Sequence, residues 1–192
     1  MHKTVKLFAP AVFVIMGSLS QAWASASQPG TAAEAAAIKQ FDVAIAKYMA
    51  VRTKLGSEVR GPVKDSSSSQ MTDASDALAG AIQRSRQDAR VGTMFSAPVA
   101  AIIKVRIADA VRTEQLVSAL ADIDDEGTSG PSPKVHLRLP VTVQMATMPP
   151  ALLKVLPPLP KELEYRIVGR YLILRDVDAS LILDYIPAAV AR

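Results

Sequence analysis

Three aspartates, Asp176, Asp178 and Asp184, share the stretch "EYRIVGRYLILRDVDASLILDYI" (residues 164–186) with Arg166 and Arg170. Carboxylates this close together could form an acid/base pair, one donating a proton while its neighbour accepts one. The spacing also has a plainer meaning. Gly169-Arg170 suits a two-residue hairpin turn, with glycine where positive φ is needed. That register sets Val168 opposite Tyr171, Ile167 opposite Leu172, Arg166 opposite Ile173, Tyr165 opposite Leu174 and Glu164 opposite Arg175. Tyr165, Ile167, Leu172 and Leu174 then share one face, and the Glu164–Arg175 pair shares the other with Arg166. Asp176 and Asp178 fall in the following turn, where aspartate bonds nearby backbone amides. Asp184 is the exception. On a strand over 180–186 its parity is opposite to Leu181, Leu183 and Tyr185, which places it with Ile182 and Ile186. A half-buried carboxylate there needs a partner, and Arg166 or Arg170 could supply it. Asp184, Arg166 and Arg170 are therefore the candidate binding residues, and no catalytic set is assigned.

Other chemistries have less support. Once an N-terminal leader is removed, His136 is the only histidine, and no G-x-S-x-G elbow accompanies it as a serine triad on such a fold would require. Alternation places His136 on the outward side of its strand. "DIDDEG" (122–127) matches the first positions of a calcium loop, but the position that needs a bidentate glutamate is Pro133. Met145 and Met148 form an M-x-x-M, and two thioethers alone make a poor copper site. The chain has no cysteine, so thiol catalysis and thiolate metal sites are excluded. There is no phosphate-cradling glycine loop and no nucleotide or zinc fingerprint. No cofactor and no metal are expected.

These residues must be positioned by the rest of the chain. The N-terminus has a positive region with Lys3 and Lys6, the apolar run "LFAPAVFVIMGSLS", and A-x-A sites in "AWASA". It reads as a signal peptide over 1–26, cleaved after Ala24 or Ala26. Cleavage removes two of the 22 basic residues and none of the 18 acidic ones, leaving a nearly balanced chain that is not a nucleic-acid binder by charge. No membrane span is expected after cleavage.

Residues 27–130 read as helical. Ile38, Phe41, Ile45, Tyr48 and Leu55 make an apolar stripe over 32–55, which Arg52 interrupts. "KDSSSSQ" is a polar linker. A second helix is expected from Thr72 or Asp73 to Arg90, with Leu78 and Ile82 inward and Arg84, Arg86 and Arg90 on a solvated face. A third starts at Ser96, a good N-cap, with Pro98 in its first turn. "EQLVSALADI" continues it or forms a fourth. Nine of the 13 prolines lie at or after Pro131, and the remaining residues to 192 read as a proline-rich meander region. In "KVHLRLPVTVQ" Val135, Leu137 and Leu139 alternate as in a half-buried strand. "MPPALLKVLPPLP" has room for one or two helical turns. The fold class is α+β: three or four helices, then a small antiparallel β-meander whose Tyr165/Ile167/Leu172/Leu174 face packs on them.

The tail "LPPLPKELEYRIVGRYLILRDVDASLILDYIPAAV", with "FDVAIAKYMAVRTKL", "GTMFSAPVAA" and "ATMPPALLKVLPPLP", resembles a group of small exported bacterial proteins. They have a helical first half and an LP-x-ELEYR-x-VGR-x-LILRDV tail. The resemblance covers most of the chain after the leader. It implies export and a shared architecture, and it carries over no activity. The tail alone is also similar to the C-terminal hairpins of periplasmic nickel/cobalt-homeostasis proteins. The histidine-rich segments of those proteins are missing here, so no metal role follows.

The expectation is a soluble periplasmic protein without catalytic activity that binds a protein or envelope component. Two alternatives are a small envelope hydrolase built on carboxylates such as Asp176, Asp178 or Asp184, and a metal-stress or chaperone-like periplasmic protein.

Overall fold

The structure is a computed structural model that describes residues 32–59, 67–116, 132–139 and 148–190. Helices α1 (Ala32–Glu58), α2 (Ser68–Ser85), α3 (Ala97–Thr113) and the short α4 (Pro150–Val155) precede strands β1 (Leu163–Val168), β2 (Tyr171–Asp176) and β3 (Leu181–Ile186). The strands form one antiparallel sheet in the order β1-β2-β3. The α+β class with a C-terminal meander is thus what the chain folds into. "DIDDEG", Met145 and most of "EQLVSALADI" lie outside the described residues.

The β1–β2 register is the one that the Gly169-Arg170 turn dictates, from Val168↔Tyr171 to Glu164↔Arg175. Gly169 has φ of 54°, left-handed backbone that glycine enters without steric penalty. Tyr165, Ile167, Leu172 and Leu174 all face the helices and belong to the main core. On the opposite face Glu164 forms an ion pair with Arg175, Oε1 to Nε 3.0 Å, and accepts a hydrogen bond from Arg166 at 2.8 Å.

The buried stripe of α1 is Ala37, Phe41, Ile45, Tyr48 and Arg52, at steps of four, four, three and four. Arg52 therefore continues the stripe rather than interrupting it. Helix α2 begins earlier than the apolar pattern suggests because Ser67 and Gln70 form a capping box, each side chain meeting the other's backbone amide. It ends at Ser85, before Arg86, so Arg86 escapes the helical phase that would have pointed it at solvent. Helix α3 buries Val99, Ile103, Ile107 and Ala110 on one face despite its β-branched content, since burial outweighs a propensity deficit of a few tenths of a kcal/mol per residue. Arg106 on α3 pairs with Glu34 on α1 at 2.8 Å and donates to Val155 O on α4, tying three helices together.

The segment 134–139 differs from the expected strand. It lies along the outer edge of β3, and its only regular pairing is one bridge, Arg138↔Leu181. His136 N donates to Ile182 O, Ile182 N to Leu137 O, and Leu139 N to Ser180 O. The φ of 69° at His136 breaks the extended run. Leu139 packs on Ile173 and Ile182 over the second face of the sheet, with Leu137, Tyr171 and Tyr185 alongside. Among the described residues no helix is long and apolar enough to cross a membrane.

Candidate functional site

A seam of buried polar groups runs between the helices and the sheet. At one end Arg52, 9% exposed, meets Asp176, which is fully buried. Arg52 Nε lies 2.5 Å from Asp176 Oδ2, and the Tyr48 hydroxyl donates to the same oxygen at 2.7 Å. Asp176 Oδ1 accepts from the Ala179 amide, closing the β2–β3 turn. Arg52 extends outward to Asp178 Oδ2 at 2.5 Å, and the Asp178 side chain is largely exposed. Asp176 is the last residue of β2 rather than a free turn residue, and its parity points it at the helices. Burial would lower the pKa of Arg52, but the bonds and charges of Asp176 and Asp178 outweigh it and hold the guanidinium more firmly protonated than usual. Burial, reinforced by Asp176, pushes the Tyr48 hydroxyl well above its ordinary value.

The other end is Asp184, also fully buried. Its partners are backbone amides. Oδ1 accepts from Gly92 N at 3.0 Å and from its own neighbour Tyr185 N at 2.8 Å. Oδ2 accepts from Met94 N at 2.7 Å and from Phe95 N at 2.9 Å. Four N–H groups thus close around one carboxylate, an anion nest built by the loop between α2 and α3. This placement corrects two expectations. Leu174 faces Asp184 and Arg175 faces Ile182, so Leu183 is an extra residue in β3, a β-bulge. The bulge shifts parity, and Asp184 joins Leu181, Leu183 and Ile186 on the helix side while Ile182 turns to the second cluster. Neither Arg166 nor Arg170 is its partner. Arg166, opposite Ile173, lies on the far face with Glu164, and exposed Arg170 donates to Val190 O at 3.3 Å. The three candidate binding residues are not brought together.

Holding Met94 and Phe95 in this way places the Phe95 ring between Phe41 of α1, at 5.5 Å, and Tyr165 of β1, at 6.4 Å. Asp184 therefore fixes an aromatic stack that joins helix to sheet.

Arg86 links the two ends. Its guanidinium lies 5.4 Å from the centroid of the Tyr48 ring and donates to Leu183 O. Burial lowers its pKa, while the charges of Tyr48 and Asp184 act in the opposite sense. Gln83, one turn earlier, donates to His136 O at 3.0 Å. His136 is half-buried rather than outward-facing, its Nε2 is shut off from solvent, and burial followed by the Arg86 charge lowers its pKa.

A separate cleft of about 390 Å³ opens beside β1. Met148, Leu153, Pro157, Leu159, Leu163 and Tyr165 make it mostly apolar, with Glu164 and Arg166 also in its wall. Met148 is buried and belongs to the main core. Among the described residues no group of three or more His, Asp or Glu side chains is placed to hold a metal ion.

The seam residues that sequence reasoning missed are Tyr48, Arg52 and Arg86. Arg52 did carry a signal: a cation at a buried phase of an amphipathic helix implies a buried acid elsewhere. Compared with family models, curated proteins and solved structures, the chain matches none of them. The fold and site define it only as an α+β protein with helices packed on a three-stranded meander.

Proposed function

We propose that the protein is exported, loses its leader by cleavage after Ala24 or Ala26, and acts in the periplasm as a non-catalytic binding protein. The export half of this reading rests on the positive N-terminus, the apolar run and the A-x-A sites. The binding half rests on one observation. The three candidate carboxylates are committed to the protein's own groups, Asp176 and Asp178 to Arg52 and Asp184 to four amides, while the described cleft is lined mainly by apolar side chains. A cleft of that character suits recognition better than proton transfer, which requires a carboxylate aimed at the bound molecule. In this reading the β1–α4 cleft receives an apolar part of a protein or envelope component.

The test is affinity capture of the tagged chain from envelope extract, read by mass spectrometry, together with cell fractionation. A recurrent envelope partner and a periplasmic location support the reading. Turnover on a panel of esterase, phosphatase, glycosidase and peptidase substrates that one point substitution abolishes would refute it.

A further inference from the structure

We propose that residues 134–139 form an acid-loosened latch over the second face of the sheet, with His136 as its trigger. Among the described residues its attachments are single bonds spread along the segment, and His136 makes two of them. Its amide bonds Ile182 O, its carbonyl accepts from Gln83, and Leu137 and Leu139 make one ladder bond each with β3. Arg138 adds an ion pair to Asp76 and a bond to Ser75 on the exposed side of α2. Beneath the latch lie Ile173 and Ile182, both fully buried, with Tyr171 and Tyr185 beside them.

The His136 side chain is poorly placed to carry charge. Nε2 is buried and has no hydrogen-bond partner among the described residues, so a proton there has no acceptor among them. The surrounding groups do not compensate. From α2 come Gln83, which is bonded to the His136 carbonyl, and Asp76, which is paired with Arg138; just past its end comes the Arg86 cation, held near by its own bond to Leu183 O beside Ile182. β3 contributes one acid, Asp184, enclosed by the amides of Gly92, Met94, Phe95 and Tyr185. From α1, Tyr48 stacks under Arg86 with its hydroxyl on Asp176. The charged neighbours within the latch, Lys134 and Arg138, are both cations. Protonation therefore places a second positive charge beside Arg86 in a half-buried position.

The sign follows from linkage. His136 has a lower pKa closed than free, so its contribution to closure is complete above the free value of about 6.5 and is lost as pH falls through that value towards the closed one. The loss is at most about tenfold in the opening equilibrium for each unit between the two values.

The test is residue-resolved amide exchange by NMR at pH 7.5 and pH 5.5, expressed as protection factors so that intrinsic rates cancel. Protection at the His136, Leu139 and Ile182 amides should fall in the wild type, by up to about tenfold at one pH unit below 6.5. It should not fall in His136→Asn, which stays neutral and accepts left-handed backbone. An equal fall in the variant, or no fall in the wild type, overturns the proposal. If the variant does not fold, imidazole titration of the wild type decides. His136 must titrate below 6.5, and protection must be lost between 6.5 and that midpoint; any other result overturns the latch.

Discussion

Arg52 Nε and Asp176 Oδ2 lie 2.5 Å apart, joining the first helix to the end of the second strand across 124 residues of chain. Neither group has bulk water to fall back on, since Arg52 is 9% exposed and Asp176 is fully buried. A pair of this kind adds little net stability compared with an apolar pair of the same shape, but it is very sensitive to losing one member.

Arg52→Met should therefore destabilise the fold by about 3–5 kcal/mol, because Asp176 stays buried without its cation. Arg52→Met combined with Asp176→Leu should recover a large part of the loss. Urea unfolding of the two single variants and the double variant checks this, and strict additivity of the single losses would contradict the pairing.

Asp184→Asn keeps the shape of the side chain and removes its charge. An amide NH2 would then point at one of two pairs of backbone donors. Destabilisation by about 2–3 kcal/mol is expected. The amide resonances of Gly92, Met94 and Phe95 should shift together, and a change confined to Tyr185 would deny the nest its role.

Leu153 is 47% exposed and lines the apolar cleft. Leu153→Glu should leave unfolding within about 0.5 kcal/mol of the wild type, as exposed substitutions usually do. It should also remove whatever envelope component the wild type captures. Unchanged capture would move the binding surface away from the β1–α4 cleft.

Gly169→Val should destabilise by about 1–2 kcal/mol, because a β-branched residue is forced to a φ of 54°. Gly169→Asn should be milder. The melting temperatures of the two variants give the order.

The β-hairpin was legible because its rules are local. A two-residue turn sets the register, and the register sets every facing pair from Val168–Tyr171 to Glu164–Arg175. The stripe of α1 was legible for the same reason. The seam was not, because its partners meet only in three dimensions. Asp184 is held by amides from a loop some 90 residues earlier, and backbone amides carry no mark in a sequence. The extra residue Leu183 shifts the parity that placed Asp184 beside Ile182, and a bulge at a leucine inside an apolar strand has no turn residue to announce it. His136 was misplaced because the strand around it is a single bridge with a left-handed residue before it.

The link between Arg52 and Asp176 also sets an order of events during synthesis. Helix α1 is made first, yet its buried cation has no counterion until the ribosome has added β2 near the far end of the chain. Local helices form within about a microsecond, but the seam must wait for contacts between distant segments. A chain that stops short of Asp176 leaves a guanidinium stranded on an apolar helix face. Such a fragment lacks the acid that makes burial of Arg52 tolerable, so the helix face around it should stay open to water until β2 arrives.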